Sequence, residues 1–485
     1  MDWLSFLRVP ECVCSLSSVV RQFARLCTLR SQVMGYILTQ ARCQPIFLGK
    51  LIRNAPRDLV ATRKVAPMVR YCLPEQGLEV SQVRERLTEA QQGDWGVRSG
   101  RLPLHCYFAS ETVDEISRAA FNQFADANVL APKAFPSCHK MECEVVAMAL
   151  GLLNAPLDAS GSITSGGTES IILALKAARD EAAERHCIDK PSIVIPDSAH
   201  PAFDKGAQLL GLSVIRVSVD ADMRSDVAAM EAAITRDTIL IAGSAPSLPF
   251  GLVDRIEELS DLAMRHGLWL HVDACVGGML APFVRELGHP LPAFDFCVPG
   301  VRSLSADLHK FGYSAKGASL VLYRSENDQR FQFNHFANWP KGGYFTPTLA
   351  GTRSGGPVAS AWAVMHHLGR RGYLDITAEL MNLRARYLEQ FEGIEGLRLM
   401  TVPDLTIIAF TAVDLDIFDI AAKMSTRGWY MSLVGRPKAI HQTLNLVHRA
   451  RFDDYFDDLR QSVAEVRAAP AGGEPAEQDY LVLTY

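Results

Sequence analysis

Between about residues 145 and 325, short apolar runs alternate with stretches of helical periodicity, and no other feature narrows the possible folds so far. Strands are predicted at "SIVIP" (192–196), "SVIRVSV" (213–219), "TILIAGSA" (238–245), "LWLHVDA" (268–274), "FDFCVPG" (294–300) and "SLVLYRS" (319–325). Helical patterns at 200–210 and 256–266 lie between them. Strands that take turns with helices form crossovers, so the expected architecture is a doubly wound, mostly parallel sheet covered by helices. In such a sheet the ligand site lies at the carboxyl ends of the strands.

After "GTRSGGP" at 351–357 the pattern changes to a long helical run near 373–391, two short strands and a final helix. That helix sets Phe452, Tyr455, Phe456, Leu459, Val463 and Val466 on one face, as a smaller α/β domain requires. The expected domains are a partly flexible segment at 1–95, a large domain at 96–355, a small domain at 356–468 and a Pro/Gly-rich tail at 469–485. Residues 1–50 carry only Asp2 and Glu11 against Arg8, Arg21, Arg25, Arg30, Arg42 and Lys50, which suits an address, a membrane-surface contact or a fraying leader. Their longest uncharged runs, such as 31–41, fall short of the about 20 residues a membrane span needs.

A net charge of −5 from 49 basic and 54 acidic residues gives no field suited to gripping nucleic acid, so any phosphate recognition must be local. Eleven cysteines without a CxxC pair or zinc spacing read as reduced thiols in a cytoplasmic protein that binds no metal.

Three stretches sit where strands end or helices begin. In "GSITSGGTESI" (161–171) the residues Ser165, Gly166, Gly167 and Thr168 lead straight into a helix, where free amides favour an anion; a capped turn has the same spelling. In "HVDAC" Asp273 ends an apolar strand, and a carboxylate there needs a cation or donors. In "SADLHKFGYSAKG" (305–317) Lys310 lies beside the sheet, a setting expected to lower its pKa and make the amine a nucleophile. A phosphate cradle, a carboxylate and an amine are the three partners that pyridoxal 5'-phosphate requires.

With "SAHPAFDKGAQLLGLSVIRV" (198–217) and "TPTLAGTRSGG" (346–356), these motifs resemble the pyridoxal-phosphate lyases that cleave sphingosine 1-phosphate, within the group II decarboxylase-like superfamily, and most closely their soluble bacterial type. The resemblance runs from about residue 99 to 466. It implies the aspartate-aminotransferase fold (fold type I) and a homodimer with shared active sites. It also implies cleavage of a phosphorylated long-chain base to a fatty aldehyde and phosphoethanolamine. By the same resemblance Lys310 carries the cofactor, Asp273 faces its ring nitrogen, His200 stacks on its ring, and His309, Asn128 and Thr352 are further cofactor contacts. Tyr107 and Lys316 fall near the substrate, and Lys316 and Arg353 near its phosphate. A purely structural role stays open for His200, His309, Tyr107, Asn128, Lys316 and Arg353.

The chain departs from the family where Val129, Leu130 and Ala131 replace a usual Pro-Leu-His, so one family histidine is missing. Extra residues precede Tyr107 in "SGRLPLHCY", and "SLPFG" (247–251) has Leu248 and Phe250 where relatives carry aromatic or polar side chains. Two other readings share the motifs: an amino-acid decarboxylase on the same fold, and an inactive relative that serves as a binding protein.

Overall fold

The computed structural model describes residues 72–469 apart from 186, 187 and 189, so the basic segment at 1–50 and most of the tail lie outside the described residues. The chain divides into two units near residue 88, and helix α1 (Val80–Ala90), which crosses that point, has no buried residue. Everything below concerns the second unit.

Its main sheet has seven strands in the order β1-β7-β6-β5-β4-β2-β3: β1 Ser160–Thr164, β2 Ser192–Pro196, β3 Ser213–Val217, β4 Thr238–Ser244, β5 Trp269–Asp273, β6 Val301–Ala306 and β7 Ser319–Tyr323. The pairs from β3 through β6 are parallel. Strand β7 runs against both β6 and β1, which leaves β1 parallel to the rest. This is the expected mostly parallel sheet, and the carboxyl ends of β1, β2, β4, β5 and β6 all face one edge.

Helices cover both faces, which is why β2, β4 and β5 are buried at every position. Ile193 and Ile195 pack with α4 (Gly167–Arg185) and α5 (Ala202–Leu210), while Val194, one residue out of phase, joins the opposite core. That second core is closed by α3 (Pro136–Leu152), α6 (Ile256–His266) and the first part of α7 (Gly356–Glu392). Helix α7 bends at Gly369, whose φ of 53° is not helical.

The run at 294–300 is not a strand. Phe294, Phe296 and Val298 are buried from a loop, and the strand is the next segment, the more polar β6. Its polarity hid it: Ser303 and Ser305 are buried because their hydroxyls meet Trp269, His271 and Asp273 on β5. Strand β1 was also not expected. There Gly161 allows a close approach, since a Cβ would come within 2.5 Å of the Leu322 side chain on β7.

The smaller C-terminal domain has an antiparallel sheet in the order β10-β11-β13-β12: β10 Leu397–Leu399, β11 Ile407–Ala412, β12 Ser432–Gly435 and β13 Lys438–Thr443. Its core joins Tyr387 and Phe391 to Phe410 and to α8 (Ile417–Thr426) and α9 (Phe452–Ala468). On α9, Phe452, Tyr455, Phe456, Leu459 and Val463 are buried and Val466 half-buried, as the spacing required. The two domains are joined by Arg224, which pairs with Asp404 at 2.8 Å, while Asp404 also accepts from the amide of Val253. The small β8–β9 hairpin, Asn334–Phe336 and Tyr344–Thr346, projects Phe336, Trp339 and Phe345 into solvent.

Candidate active site

Four connections bring chemistry to the carboxyl edge of the sheet. Asp273 is the last residue of β5 and lies opposite Ser305 of β6. Its Oδ1 accepts from the amide of Cys275 at 3.1 Å and from the Ser305 hydroxyl at 3.2 Å. Those donors offset the desolvation of a nearly buried carboxylate and fix its direction.

The turn after β6 carries Asp307, His309 and Lys310. Lys310 Nζ lies 2.9 Å from Asp307 Oδ2, and His309 Nε2 lies 3.6 Å from the same oxygen. Asp307 was not anticipated from the sequence. The signal was available, because a residue three before the lysine in the same turn can reach its amine. Burial pulls the Lys310 amine down, yet the Asp307 carboxylate outweighs it and holds the amine well above its ordinary value. The expectation of a lowered pKa is therefore corrected: the Asp307 carboxylate favours the ammonium form of this lysine. Burial works against Asp307 in turn, but Lys310 and His309 bring its carboxyl below the usual range.

His200 follows β2, and its Nδ1 accepts from the amide of Ala202 at 3.1 Å. Burial lowers its pKa and Lys310 adds to that, while Asp273 and Asp307 oppose them. Electrostatically the four residues form one group.

At the head of α4, Ser165 directs both its amide and its hydroxyl to Glu169 Oε2, at 2.7 and 2.6 Å. Glu169, a residue the sequence reading passed over, also accepts from the amide of Leu349. Gly166, Gly167 and Thr168 complete the turn into α4. A Cβ on Gly166 would meet only His309 Cε1, at 3.9 Å, whereas one on Gly167 would strike Cys275 Sγ at 2.6 Å.

Lys316 Nζ donates to the His309 carbonyl at 3.2 Å and lies 5.0 Å from the centre of the Tyr107 ring. The Tyr107 ring meets Phe311 edge-on at 5.0 Å. Burial, followed by the like charge of Lys310, lowers the Lys316 pKa. His105 feels both lysines and adopts a left-handed φ of 65°, rare for a non-glycine residue.

The other expected residues lie elsewhere in the contact network. Asn128 and Thr352 meet each other at 3.5 Å where their two segments pair at Asn128 and Ser354. The Arg353 guanidinium is engaged inside the chain, 3.2 Å from Glu142 Oε1 and 2.7 Å from the Ile163 carbonyl. The cation expected to face a phosphate thus serves as an internal brace. Among the described residues no group of three or more His, Cys, Asp or Glu could hold a metal ion.

Residues 105–413 match the model of the pyridoxal-dependent decarboxylase conserved domain. The chain is 42% identical over 406 residues to a sphingosine-1-phosphate lyase of Arabidopsis thaliana, covering 82% of this chain and 74% of the relative. It is 39% identical over 438 residues to sphingosine-1-phosphate lyase 1 of Rattus norvegicus, covering 87% and 76%. Among solved structures, a sphingosine-1-phosphate lyase of Burkholderia pseudomallei superposes with a TM-score of 0.79 at 34% identity, covering 82% of this chain and 93% of that one.

Proposed function

Since the chain belongs to the sphingosine-1-phosphate lyases, within the pyridoxal-dependent decarboxylase family, we infer that it cleaves the Cα–Cβ bond of phosphorylated long-chain bases to a fatty aldehyde and phosphoethanolamine. The observation that carries this reading is identity above 30% to lyases of that activity across more than four fifths of the chain. The cofactor is pyridoxal 5'-phosphate.

The residues present fit that group. Gly166 leaves the backbone at the head of α4 unshielded, an amine projects from the turn after β6, and a carboxylate is fixed at the end of β5. Gly166, Gly167 and Thr168 would hold its phosphate, His200 its ring and Lys310 its aldehyde carbon. When bound, it supplies a conjugated cation that takes up the electron pair of the breaking carbon–carbon bond.

The protein's own groups do the rest. Asp273, held through Oδ1, would keep a proton on the ring nitrogen. Asp307 orients Lys310 Nζ and stabilises its charged form. Lys316 sits beside Tyr107 as the cation that receives the substrate phosphate. Tyr107, whose ring centre lies 5.0 Å from that cation, is the group to which we assign the proton of the C3 hydroxyl.

The exposed apolar side chains of Phe336, Trp339, Phe345 and Leu349 all fall within residues 336–349, which supports a homodimer that covers this segment. Unpaired cysteines at 72, 106, 138, 143, 275 and 297 suit a reducing, cytoplasmic compartment. Among the described residues no helix is long and apolar enough to cross a membrane. Peripheral membrane contact is assigned to the basic segment at 1–50.

Purified protein should be assayed with sphingosine 1-phosphate and with a panel of aromatic and acidic amino acids. Fatty aldehyde and phosphoethanolamine from the first, with no carbon dioxide from the second, is the expected result. Carbon dioxide without aldehyde would make the protein a decarboxylase.

A further inference from the structure

A cavity of about 930 Å³ opens at the carboxyl ends of β2, β3 and β4, under the turn between β12 and β13. It lies at the upper end of the size range of small-molecule sites, about 300–1,000 Å³. Val219, Leu248, Phe250, Leu433, Val434 and Pro437 give it apolar walls from both domains. His200 lines the same cavity and is itself coupled electrostatically to Asp273 and Lys310.

Among the polar groups along this groove Arg216 is engaged and His441 uncharged, while Arg436 also lines it and the buried Ser198 Oγ has no hydrogen-bond partner. The Arg216 guanidinium binds Asp204 and the carbonyls of Pro196, Asp197 and Ala199. His441 is uncharged at neutral pH, burial foremost and His105 next pushing it down to about 4. The walls are also set in advance. Phe250 and Val434 pack in one small core with Leu252 and Ala439, and the loop carrying Leu248 closes on itself through Ser247 and Leu252 at 2.8 Å. Such a rigid apolar slot suits a flexible hydrocarbon, because the protein gives up little freedom on binding it.

We propose that this groove receives the hydrocarbon chain of the substrate, entering past His200, and that Leu248 and Val219 set the chain length the enzyme prefers. This rests on the lyase reading above. The head group then reacts at Lys310 and Asp273 while the chain runs away from them between the domains.

The test is a series of 2-amino-3-hydroxyalkyl 1-phosphates from about 6 to about 18 carbons, assayed with the cofactor-loaded enzyme. With wild type, kcat/KM should rise by about fourfold per added methylene until the groove is full. Leu248→Trp and Val219→Phe, made separately so that one failure to fold does not decide the matter, should lower kcat/KM for the longest member at least about tenfold. The shortest should stay within about threefold. Leu248→Ala should move the optimum to longer chains. As a second readout, fluorescence polarisation of a dye-labelled long-chain alkyl phosphate without an amine should show weaker binding in both filled variants. Equal losses along the series, or unchanged polarisation, would overturn the groove and leave the lyase reading standing. If wild type cleaves no member of the series, the lyase reading fails and the groove assignment falls with it.

Discussion

Replacing Asp307 by Asn removes the charge that holds Lys310 as an ammonium. At 2.9 Å, and at an effective dielectric of about 20, the attraction lost is about 6 kcal/mol. Desolvation of both groups offsets part of it, so the expected cost of breaking the pair is about 3–5 kcal/mol. The pH dependence follows from the two shifts. The Lys310 pKa is raised in the folded state, so its contribution is complete below the ordinary lysine value and fades only as pH climbs through the raised one. The Asp307 pKa is lowered, so its contribution is complete above the ordinary carboxylate value and fades as pH falls through the lowered one. Between about pH 6 and 9 the deficit of Asp307→Asn should therefore be constant.

Urea unfolding of cofactor-free protein at fixed concentration gives the measurement, in a cycle with Lys310→Met and the double variant. The double variant should be less damaged than Asp307→Asn alone, because it leaves no buried charge without a partner. A coupling of at least about 2 kcal/mol is expected. In Asp307→Asn the lysine loses its largest raising influence and keeps the lowering effect of burial, so capture of pyridoxal 5'-phosphate should become faster at neutral pH. A coupling near zero with an unchanged capture profile would refute the pairing.

Asp273→Asn should keep the fold and lose about 1.5–3 kcal/mol of stabilisation, or roughly 10- to 150-fold in kcat; near-normal turnover would remove Asp273 from the mechanism. Arg353→Ala should destabilise by up to about 3–5 kcal/mol by leaving Glu142 unpaired, and Arg353→Met with Glu142→Gln should recover most of it in urea titrations. Burial depresses both His271 and His441 to about 4, which makes both of them sources of acid sensitivity. As pH falls from about 6.5 toward 4 the unfolded chain takes up protons that the folded one does not, costing up to about 3 kcal/mol per histidine. Asp254, raised by burial to about 6, works in the opposite direction over the same range and only partly cancels this. Urea midpoints should fall between pH 6.5 and 4.5 and His271→Gln should flatten the fall; a flat wild-type profile would contradict it.

How much was legible depends on what each segment buries. Strands β2, β4, β5 and β7 were readable because helices or sheet neighbours bury them and their residues say so directly, and the half-buried edge strand β3 by its β-branched residues. Strand β6 was not, since its buried serines are paid for by side chains on β5, and a one-dimensional reading cannot see that partner. The apolar loop at 294–300 misled for the converse reason: Phe294 and Phe296 fill the core without ladder bonds. In the site, Lys310 and Asp273 stood out by their position at strand ends. Asp307 and Glu169 did not, because their part is to hold other side chains, and that depends on distances only the fold supplies. Arg353 shows the limit from the other side, a motif arginine whose guanidinium the fold assigns to Glu142.

The central claim is that the site is built around the amine of Lys310. Borohydride reduction of the cofactor-loaded protein, followed by peptide mapping, tests it most directly. The account predicts a single reduced pyridoxyl label on the peptide containing Lys310, lost in Lys310→Ala. A label on Lys316 or Lys205 instead would contradict it.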